Sequence, residues 1–369
     1  MKIGLCHKDI GLISRGGVCR LYKELANALR DSGEEVFIIS ARGDWEPEGI
    51  TVVTIKPTED KLTYSQQVAQ ALPDLNLDIV ECSSWGFELL SYLRSEVRTT
   101  KTIVRGDLTA ATLGAHQYAF SEKELMERAE SIICVSQFAK EDIKHQYGIT
   151  AQHVIYNGVD TDSFRILKEI PAGISSGYRF VLQMDNYKKI PLSDCPLPLS
   201  HEGLRIVWTG KPTTMKGFDI LQNIVALSPP SFRFYLCIGH SPEEIRIIIG
   251  SDPRVFLLQD LSDTDYVALL NFADVFLCTS RWEGFGLSPL EAMACGCPVV
   301  YWNHCEALKE FIREDKDGIS FSTAEDCLRV LVLTTKAEMG RNAAQQARAF
   351  SWQKNCQESL KIYMEAMKK

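Results

Sequence analysis

The sequence predicts an α/β protein of two domains, each organised around a parallel sheet. Short apolar runs alternate with stretches of helical periodicity along the whole chain, the pattern of parallel strands joined by crossover helices. The chain has 369 residues, enough for two ordinary domains that each bury a core. A turn-rich stretch without periodicity, residues 165–177, separates two such alternating series.

The first series begins with a strand, a glycine loop and a helix. Lys2–Cys6 is the first predicted strand, Gly16 and Gly17 lie in the loop, and Gly33 ends the helix. Ligands of such sheets bind beyond the carboxyl ends of the strands, where this loop lies. The remaining predicted strands of this series read EVFIIS, DIVEC, KTIVR, SIICVS and HVIYN.

The second series contains six further predicted strands and an irregular segment. Residues 185–203 are rich in proline, and we expect a surface loop or hairpin there without an assigned role. The last helical stretch, 352–369, carries apolar residues at helical spacing. The predicted strands read YRFVLQM, LRIVWTG, FRFYLCIG, RVFLLQ, DVFLCTS and PVVYW.

Composition and charge exclude several classes of protein. A net charge of -8, with no basic run, argues against a general nucleic-acid binder. No apolar stretch approaches membrane-spanning length, and no signal peptide precedes the first strand. No strongly basic amphipathic helix marks membrane docking, which favours a soluble acceptor but leaves peripheral membrane contact open. Twelve cysteines at scattered spacings indicate reduced thiols in the cytoplasm.

Patterns that would indicate other chemistries are either missing or lack the context that these chemistries need. Residues 173–177 spell the hydrolase elbow G-x-S-x-G, but a strand-like run follows, so a linker is favoured. The Asp-Thr-Asp triplets at 160–162 and 263–265 fit turns and helix caps better than a metal site. The seven histidines show no metal spacing, and no G-x-G-x-x-G follows a strand, which argues against a dinucleotide-binding oxidoreductase.

The stretch 273–301 carries the strongest functional signal. A buried strand, Val275 to Thr279, leads into a loop with two glycines, and a short helix follows. We predict Ser288 as the N-cap of this helix, Pro289 as its first residue and Glu291 as the third. A glycine loop that leads into a helix N-terminus is an anion site, because unpaired N–H groups and the helix dipole point there.

Two carboxylates, Glu283 and Glu291, bracket this loop with seven residues between them. Taken alone, Glu291 fits a capping box and Glu283 fits an ordinary turn. Around an anion-binding turn, the two together could hold a polyhydroxylated ligand that also carries phosphate.

Two lysines, Lys211 and Lys216, flank a Pro-Thr-Thr-Met loop directly after a predicted strand. Two ammonium groups on one tight loop repel each other unless an anion lies between them. The alternative is that both are solvated surface lysines.

The segment EGFGLSPLEAMACGCPVV resembles the signature of the family 4 (group 1) retaining glycosyltransferases, which have the GT-B fold. Gly210-Lys211 and Lys216-Gly217, with four residues between the lysines, match the family's phosphate-binding pattern, with Lys in place of its first Arg. The resemblance implies two Rossmann-like domains with parallel sheets that face a cleft, and a C-terminal helix that crosses back to the first domain. The implied boundaries are 1–165 with 350–369 for the acceptor-side domain, 166–177 for the linker, and 178–349 for the donor domain.

The resemblance further implies transfer of a sugar from a nucleotide-diphosphate donor, with uridine favoured, to an acceptor hydroxyl with retention of configuration. Such enzymes build polysaccharides, glycolipids, glycoconjugates or secondary metabolites, and no metal or other cofactor is expected. Lys211 and Lys216 would neutralise the leaving diphosphate, Glu283 would bind the donor sugar and Glu291 the ribose. The backbone would contribute further donor contacts at Gly16, Gly17, Gly284, Phe285, Gly286 and Leu287.

The chain departs from the family on the acceptor side. Arg105 stands where the family often has a histidine, before Gly106 and Asp107, and Glu81 replaces another common histidine. A guanidinium does not act as a base, so Arg105 would orient an anionic or hydroxylated group. The alternative is a structural ion pair between Arg105 and Asp107.

Three other functions remain open on the same fold. A nucleotide-sugar epimerase would change the free sugar, and a phosphorylase would release a sugar phosphate. A non-catalytic sensor would bind the nucleotide sugar without turnover, against which the two glutamates and two lysines argue. The donor sugar, the acceptor, the linkage and the oligomeric state stay unassigned.

Overall fold

The computed structural model describes residues 1–10, 16–41, 45–183, 186–239, 252–334 and 336–368. Contacts within the chain divide it into two compact units, the first formed by Met1–Gly158 and Phe350–Lys369 and the second by Val159–Ala349. No helix among these residues is long and apolar enough to cross a membrane.

The first unit is a parallel sheet of seven strands in the order β3-β2-β1-β4-β5-β6-β7. Its strands are β1 Lys2–Cys6, β2 Glu35–Ser40, β3 Ile50–Thr54, β4 Ile79–Ser83, β5 Lys101–Gly106, β6 Ser131–Cys134 and β7 His153–Val154. Its helices are α1 Gly17–Asp31, α2 Lys61–Leu75, α3 Leu90–Arg94, α4 His116–Arg128 and α5 Gln137–Tyr147.

The strand order of this sheet reverses between β1 and β4, which are neighbours although two strands separate them along the chain. The carboxyl ends of β1, β4 and β5 therefore lie side by side, and the residues that follow them meet at one edge of the sheet. This is the edge at which open α/β sheets bind ligands.

The C-terminal helix, which we number α12, spans Trp352–Met367 and belongs to the first unit. It hydrogen bonds to the end of the first stretch of that unit, where Asn355 Nδ2 donates to the Tyr156 carbonyl at 2.8 Å. Gly158 lies so close to Ser351 and Trp352 that a Cβ there would be 2.3 Å from the Trp352 nitrogen. The expected return of the last helix to the first domain is confirmed.

The second unit contains an eight-stranded sheet in the order β10-β9-β14-β13-β12-β15-β16-β17. Its strands are β9 Tyr178–Gln183, β10 Asn186–Pro191, β12 Arg205–Gly210, β13 Arg233–Ile238, β14 Val255–Gln259, β15 Val275–Cys278, β16 Val299–Trp302 and β17 Gly318–Phe321, and a separate pair joins β8 Gly173–Ile174 to β11 Leu197–Pro198. Its described helices are α6 Phe218–Leu227, α7 Asp263–Phe272, α8 Leu287–Ala294, α9 Glu306–Lys309, α10 Ala324–Leu333 and α11 Lys336–Ala347.

Two strands of this second sheet differ from the parallel arrangement that the sequence predicts. β9 runs antiparallel to β14, and β10 runs antiparallel to β9. Only two residues, one of them the predicted strand residue Met184, separate β9 from β10, and both lie outside the described residues. So short a connection joins antiparallel neighbours, whereas a parallel pair needs a crossover. The hairpin alternative for the proline-rich segment is thus the observed one.

The predicted linker residues contact the second unit rather than crossing open space. Asn271 holds this segment at its start, because its side chain accepts from the Leu167 N–H at 2.9 Å and donates to the Arg165 carbonyl at 3.0 Å. Asp265 holds its end by accepting from the N–H groups of Ser175 and Ser176. The G-x-S-x-G spelling therefore lies on a two-residue strand and a turn, without the helix that an elbow requires.

The predicted strands of the first unit differ from the observed ones at two further places. β3 was not predicted, because its five residues follow a turn-rich stretch and show little alternation. The predicted strand HVIYN is shorter in the structure, where β7 is only His153–Val154.

Candidate active site

The loop between β12 and α6 carries the two predicted lysines and ends in a left-handed glycine. Gly217, the N-cap of α6, has φ 60°, and a Cβ there would be 1.9 Å from the Thr279 carbonyl oxygen. Only glycine permits this backbone conformation beside another chain segment at such close range. The Thr279 hydroxyl in turn donates to the Lys216 carbonyl at 2.7 Å. The end of β15 therefore holds the loop that follows β12.

The loop after β15 is tied to the same neighbour by Arg281. Its N–H donates to the Met215 carbonyl at 2.8 Å, and its guanidinium donates to the Thr214 carbonyl at 2.9 Å. The guanidinium also makes a bidentate pair with Asp219 in α6, at 2.7 Å for each bond. The loops after β12 and β15, which are far apart in the sequence, are thus hydrogen bonded to each other.

Lys216 and Glu283 meet where these loops join. Lys216 Nζ donates to Glu283 Oε1 at 2.5 Å, and the Ser280 hydroxyl donates to the same oxygen at 2.6 Å. Both side chains of the pair are largely buried, with 21% and 12% of their surface exposed. Burial disfavours the ammonium, but the Glu283 carboxylate outweighs it, and the pKa of Lys216 lies above its usual value. The Lys216 ammonium is therefore charged at neutral pH, and its bond to Glu283 holds it in place.

The helix after this loop begins earlier than the sequence predicts. α8 starts at Leu287, and its N-cap is Gly286, with φ 106° and no hydrogen bond from a capping side chain. A Cβ at Gly286 would be 2.5 Å from Leu308 Cδ2, so a larger residue would collide with the core. The prediction of Ser288 as N-cap, with Pro289 first in the helix, is wrong. The left-handed glycine turns the chain two residues earlier.

This shift in the helix start changes the interpretation of Glu291. In a capping box the acidic residue is the third of the helix, and Glu291 is the fifth residue of α8. Its side chain is buried, with 5% of its surface exposed. A buried carboxylate within a helix calls for another role than capping.

The remaining predicted donor residues of the second unit lie close by in the chain but differ in exposure. Gly284 and Phe285 are buried, and the Phe285 ring packs on Phe311 with centroids 5.1 Å apart. Leu287 is half-buried. Lys211 is exposed at the first position after β12, and no described residue forms an ion pair with it. The structure thus brings Lys216 and Glu283 together but leaves Lys211 at the surface.

Gly16 and Gly17 lie at the start of α1 in the first unit. Gly16 is the N-cap and makes no side-chain cap hydrogen bond, and Gly17 is the first helical residue. The five residues before Gly16, which belong to the predicted loop, lie outside the described residues. The helix N-terminus expected at this loop is therefore present.

Glu81 and Arg105 form a buried ion pair beneath the C-terminal helix. Arg105 donates to both Glu81 oxygens, at 2.6 and 3.0 Å, and also to the Ser359 hydroxyl at 3.0 Å. The Tyr363 hydroxyl donates to Glu81 Oε2 at 2.6 Å. At most 3% of the surface of either residue is exposed. The structure shows the two residues as a buried ion pair, and their expected acceptor contacts stay a prediction.

Asp107, the third residue predicted on the acceptor side, lies just after β5 and is half-buried. Its carboxylate accepts from the Leu108 N–H at 2.7 Å. The predicted alternative, an ion pair of Arg105 with Asp107, does not occur, because Glu81 takes the guanidinium.

The structure adds site residues that the sequence did not single out. Ser280 and Arg281 were passed over as loop residues, although both directly precede the glutamate loop. On the first sheet, Trp85 and Glu88 lie beyond the carboxyl end of β4. The sequence did offer a signal for these two residues. The segment Ser-Trp-Gly-Phe places an aromatic residue and a glycine directly after a buried strand.

Two acidic triplets have the structural roles that were expected of them. Asp160 accepts from the N–H groups of Asp162 and Ser163 in a turn. Asp263 begins α7 under a Ser262 cap. Among the described residues, no group of three or more histidine, cysteine, aspartate or glutamate side chains is arranged to hold a metal ion.

Comparison with known proteins identifies related sequences on both units. Residues 15–163 match the model of glycosyltransferase family 4, and residues 249–329 match that of the glycosyl transferases group 1. The mannosylfructose-phosphate synthase of Agrobacterium fabrum is 23% identical over 350 residues, which span 81% of this chain and 73% of that protein. The D-inositol 3-phosphate glycosyltransferase of Xylanimonas cellulosilytica is 24% identical over 67% of this chain and 60% of its own.

Solved structures show the same fold. The sucrose-phosphate synthase of Thermosynechococcus elongatus aligns over 99% of this chain and 98% of its own, with a TM-score of 0.78 and 17% identity. Anabaena HepE in complex with UDP-glucose aligns over 99% of this chain and 100% of its own, with a TM-score of 0.76 and 17% identity. The fold and the two family matches together show that the chain belongs to the family 4 (group 1) glycosyltransferases of the GT-B fold.

Proposed function

We propose that this glycosyltransferase moves a sugar from a nucleotide-diphosphate donor to an acceptor hydroxyl with retention of configuration and without a metal ion. Uridine is the proposed base, because HepE was solved with UDP and with UDP-glucose. Adenosine is the alternative, because starch synthase IV of the same fold was solved with ADP. The twelve free thiols favour a reducing compartment, so we place the reaction in the cytoplasm.

The ion pair of Lys216 and Glu283 is the observation that carries this proposal. A nucleotide sugar has a phosphate, which suits an ammonium, bonded directly to a sugar whose hydroxyls suit a carboxylate. Two loops place these two protein groups 2.5 Å apart, so adjacent parts of one donor could engage both. Within the protein each group satisfies the other.

Two helix N-termini beside this pair support phosphate binding. Gly217 and Gly286 are the N-caps of α6 and α8, and no side chain hydrogen bonds at either cap. The first N–H groups of a helix lack intrahelical partners and carry partial positive charge. In α7 and α10, by contrast, the side chains of the N-caps Ser262 and Thr323 accept a hydrogen bond from one of these N–H groups. That N–H group is then not available to a ligand.

The proposed reaction needs no nucleophilic side chain. The acceptor oxygen bonds to the anomeric carbon on the face from which the bond to the phosphate breaks, and the acceptor proton passes to the leaving phosphate. Lys216 would offset the charge that grows on this phosphate. Glu283 would orient the sugar, and Glu291 would accept from the ribose hydroxyls. Lys211, exposed beside this loop, would close on the diphosphate as a point charge.

A donor screen followed by product analysis tests the proposal. Purified protein is first screened by thermal shift against uridine, adenosine and guanosine diphosphate sugars, because a ligand at about a hundredfold its Kd stabilises by about 2.7 kcal/mol. The stabilising donor is then incubated with acceptors, and the products are identified together with the anomer formed. A retained glycosidic linkage supports the proposal. A changed free sugar, a sugar phosphate, or binding without turnover would instead indicate an epimerase, a phosphorylase or a sensor.

A further inference from the structure

The second unit has a cavity at the edge of its sheet opposite to the candidate active site. Its volume is about 590 Å³, within the range of about 300–1,000 Å³ that is usual for small-molecule sites. Strand β13 begins at Arg233 and β14 at Val255, so the cavity lies at the amino-terminal ends of these strands. We call it the Arg233 pocket, and its lining residues are Pro230, Arg233, Asp252, Pro253 and Arg254.

Helix α6 separates this pocket from the candidate active site. The helix has ten residues and begins after its N-cap Gly217, which directly follows Lys216. At its other end, Arg254 of the pocket donates to the carbonyls of Val225 and Ser228, at 2.8 and 2.5 Å. Ten helical residues span about 15 Å. A small ligand in the Arg233 pocket is therefore out of reach of Lys216.

Arg254 and Asp252 form a fixed and neutral part of the pocket wall. The Arg254 guanidinium donates to both Asp252 oxygens, from Nε at 3.0 and 3.2 Å and from Nη2 at 2.6 Å. These bonds hold the pKa of Asp252 below its usual value, so the carboxylate is charged at neutral pH. The two charges cancel, and the pair by itself has no net attraction for an anion.

Arg233 supplies the net charge of the pocket. Its Nη1 donates to the carbonyls of Pro230 and Phe232, at 2.7 and 2.9 Å, which fixes the orientation of the guanidinium. Within the described part of the chain, its Nε and Nη2 make no hydrogen bond and no carboxylate forms an ion pair with it. The half-buried side chain therefore has one edge of its plane with free N–H donors.

Other arginines of the chain show what this edge of a guanidinium binds. Arg205 uses Nε and Nη2 to bind both oxygens of Asp274, at 2.9 and 2.6 Å. Arg313 binds both oxygens of Asp317 in the same way, at 2.7 Å for each bond. The same edge of Arg233 matches two oxygens of one phosphate or carboxylate. Because backbone carbonyls already fix the side chain, a ligand would order it at little entropic cost.

The charge of Arg233 acts on two titratable neighbours. It contributes to the lowered pKa of His201, after burial, and to the lowered pKa of Asp252, after Arg254. Both shifts have the direction that a nearby positive charge produces. His201 is therefore neutral at pH 7, with its Nδ1 bonded to the Tyr235 hydroxyl at 2.8 Å. The charged groups of the pocket wall thus leave one net positive charge.

Two prolines supply the apolar part of the pocket. Pro230 and Pro253 are exposed, and their rings carry no polar side-chain atoms. The cavity is much larger than one phosphate group, so an organic group has room beside these rings. A phosphate monoester carries about 1.5 to 2 negative charges at pH 7, more than a carboxylate, and so suits the net positive charge better.

We propose that the Arg233 pocket is a second ligand site and that it binds a small phosphate monoester. Two phosphate oxygens accept from Nε and Nη2 of Arg233, and the organic part of the ligand packs on Pro230 and Pro253. This inference goes beyond the proposed function, because it uses none of the residues assigned to the donor or the acceptor.

Isothermal titration calorimetry of the whole protein, without any nucleotide sugar, tests the inference. The probes are glycerol phosphate, hexose phosphates and inositol phosphates. Each is compared with its neutral parent and with inorganic phosphate. We expect at least one ester to bind at least about tenfold more tightly than both comparison ligands. If no ester does so, the inference is wrong.

Variants separate the Arg233 pocket from the candidate donor site, which also has groups that suit phosphate. Arg233→Met should weaken binding of the preferred ester at least about tenfold. Arg233→Lys, which keeps the charge but lacks the fork of N–H donors, should recover part of this loss. Lys216→Met should leave the Kd of the ester unchanged.

Arg329→Met is the matched control, because Arg329 is an exposed arginine of the same unit that pairs with Asp326. Thermal midpoints verify that each variant is folded. Equal binding of the ester by Arg233→Met and Arg329→Met, or weaker binding by Lys216→Met, would contradict the inference. A failed donor screen would leave this result intact.

Discussion

Lys216 Nζ lies 2.5 Å from Glu283 Oε1 although 67 residues separate the two along the chain. The contact depends on the loops after β12 and β15. Hydrogen bonds from Arg281 and Thr279 join the second of these loops to the first. Because parallel strands end at the same edge, the topology itself brings these loops together. Charged groups held in this way need little reorganisation when charge develops on a ligand.

Replacing Lys216 should slow the chemical step more than it weakens donor binding. Lys216→Met removes the cation that the growing phosphate charge would use, a loss of roughly 2.7–4 kcal/mol in comparable enzymes. We therefore expect kcat to fall about a hundredfold to a thousandfold, with a smaller change in donor Kd. Lys309→Met is the control, because Lys309 is an exposed lysine of the same unit that pairs with Glu306. Unchanged turnover would place Lys216 outside the site.

Removal of divalent cations should leave the reaction intact. In the proposed site, Lys216 and the N-termini of α6 and α8 take the role that a metal has in other transferases. Sugar transfer, or slow hydrolysis of the donor, is measured with excess EDTA and again after adding magnesium or manganese. Loss of activity in EDTA with recovery on adding metal contradicts the metal-free proposal.

The sequence predicted the Rossmann-like units and the glutamate loop because these are local patterns. Periodicity identifies strands and helices, and Glu283, Gly286 and Glu291 lie within nine residues of one another in the printed sequence. The predicted start of α8 was wrong because Ser288 followed by Pro289 is a favourable sequence for a helix N-terminus. The sequence does not reveal that Gly286 adopts a φ of 106° and starts the helix earlier.

The contacts that the sequence did not predict are long-range. Glu81 meets Tyr363 across 282 residues, and His7 meets Glu88 across 81. No spacing rule links such residues, because only the strand order and the return of α12 place them together. For the same reason, nothing in the sequence indicates that Glu81 and Arg105 pair beneath α12.

Breaking the buried pair of Glu81 and Arg105 should destabilise the protein. Arg105→Met leaves a buried carboxylate without its cation, which typically costs about 3–5 kcal/mol, whereas Glu81→Leu with Arg105→Met should recover much of the loss. The exposed pair of Arg94 with Glu124 is the control, and Arg94→Met should cost at most about 1 kcal/mol. Urea unfolding measures these differences. A stable Arg105→Met variant with a raised KM for acceptor would instead indicate acceptor contact.

The pair of His7 and Glu88 should make stability fall as pH rises above neutrality. The folded pKa of His7, about 10, lies above its ordinary value near 6.5, so the folded state binds more protons between these values. The stabilisation is complete below about pH 6.5 and is lost as pH rises toward about 10. Thermal midpoints of the natural protein and of His7→Gln should therefore converge across this window. A constant difference would contradict a charged His7.

We propose that the second unit binds a nucleotide sugar through two glutamates with different tasks. The direct measurement is the Kd of the nucleotide and of the nucleotide sugar for Glu291→Gln and Glu283→Gln, together with turnover. Because Glu291 is not at a capping position, its variant should bind both ligands more weakly and by the same factor. Glu283→Gln should keep nucleotide affinity but lose transfer and discrimination between sugars. Normal affinities and turnover in both variants, with only small equal losses of thermal stability, would contradict the claim.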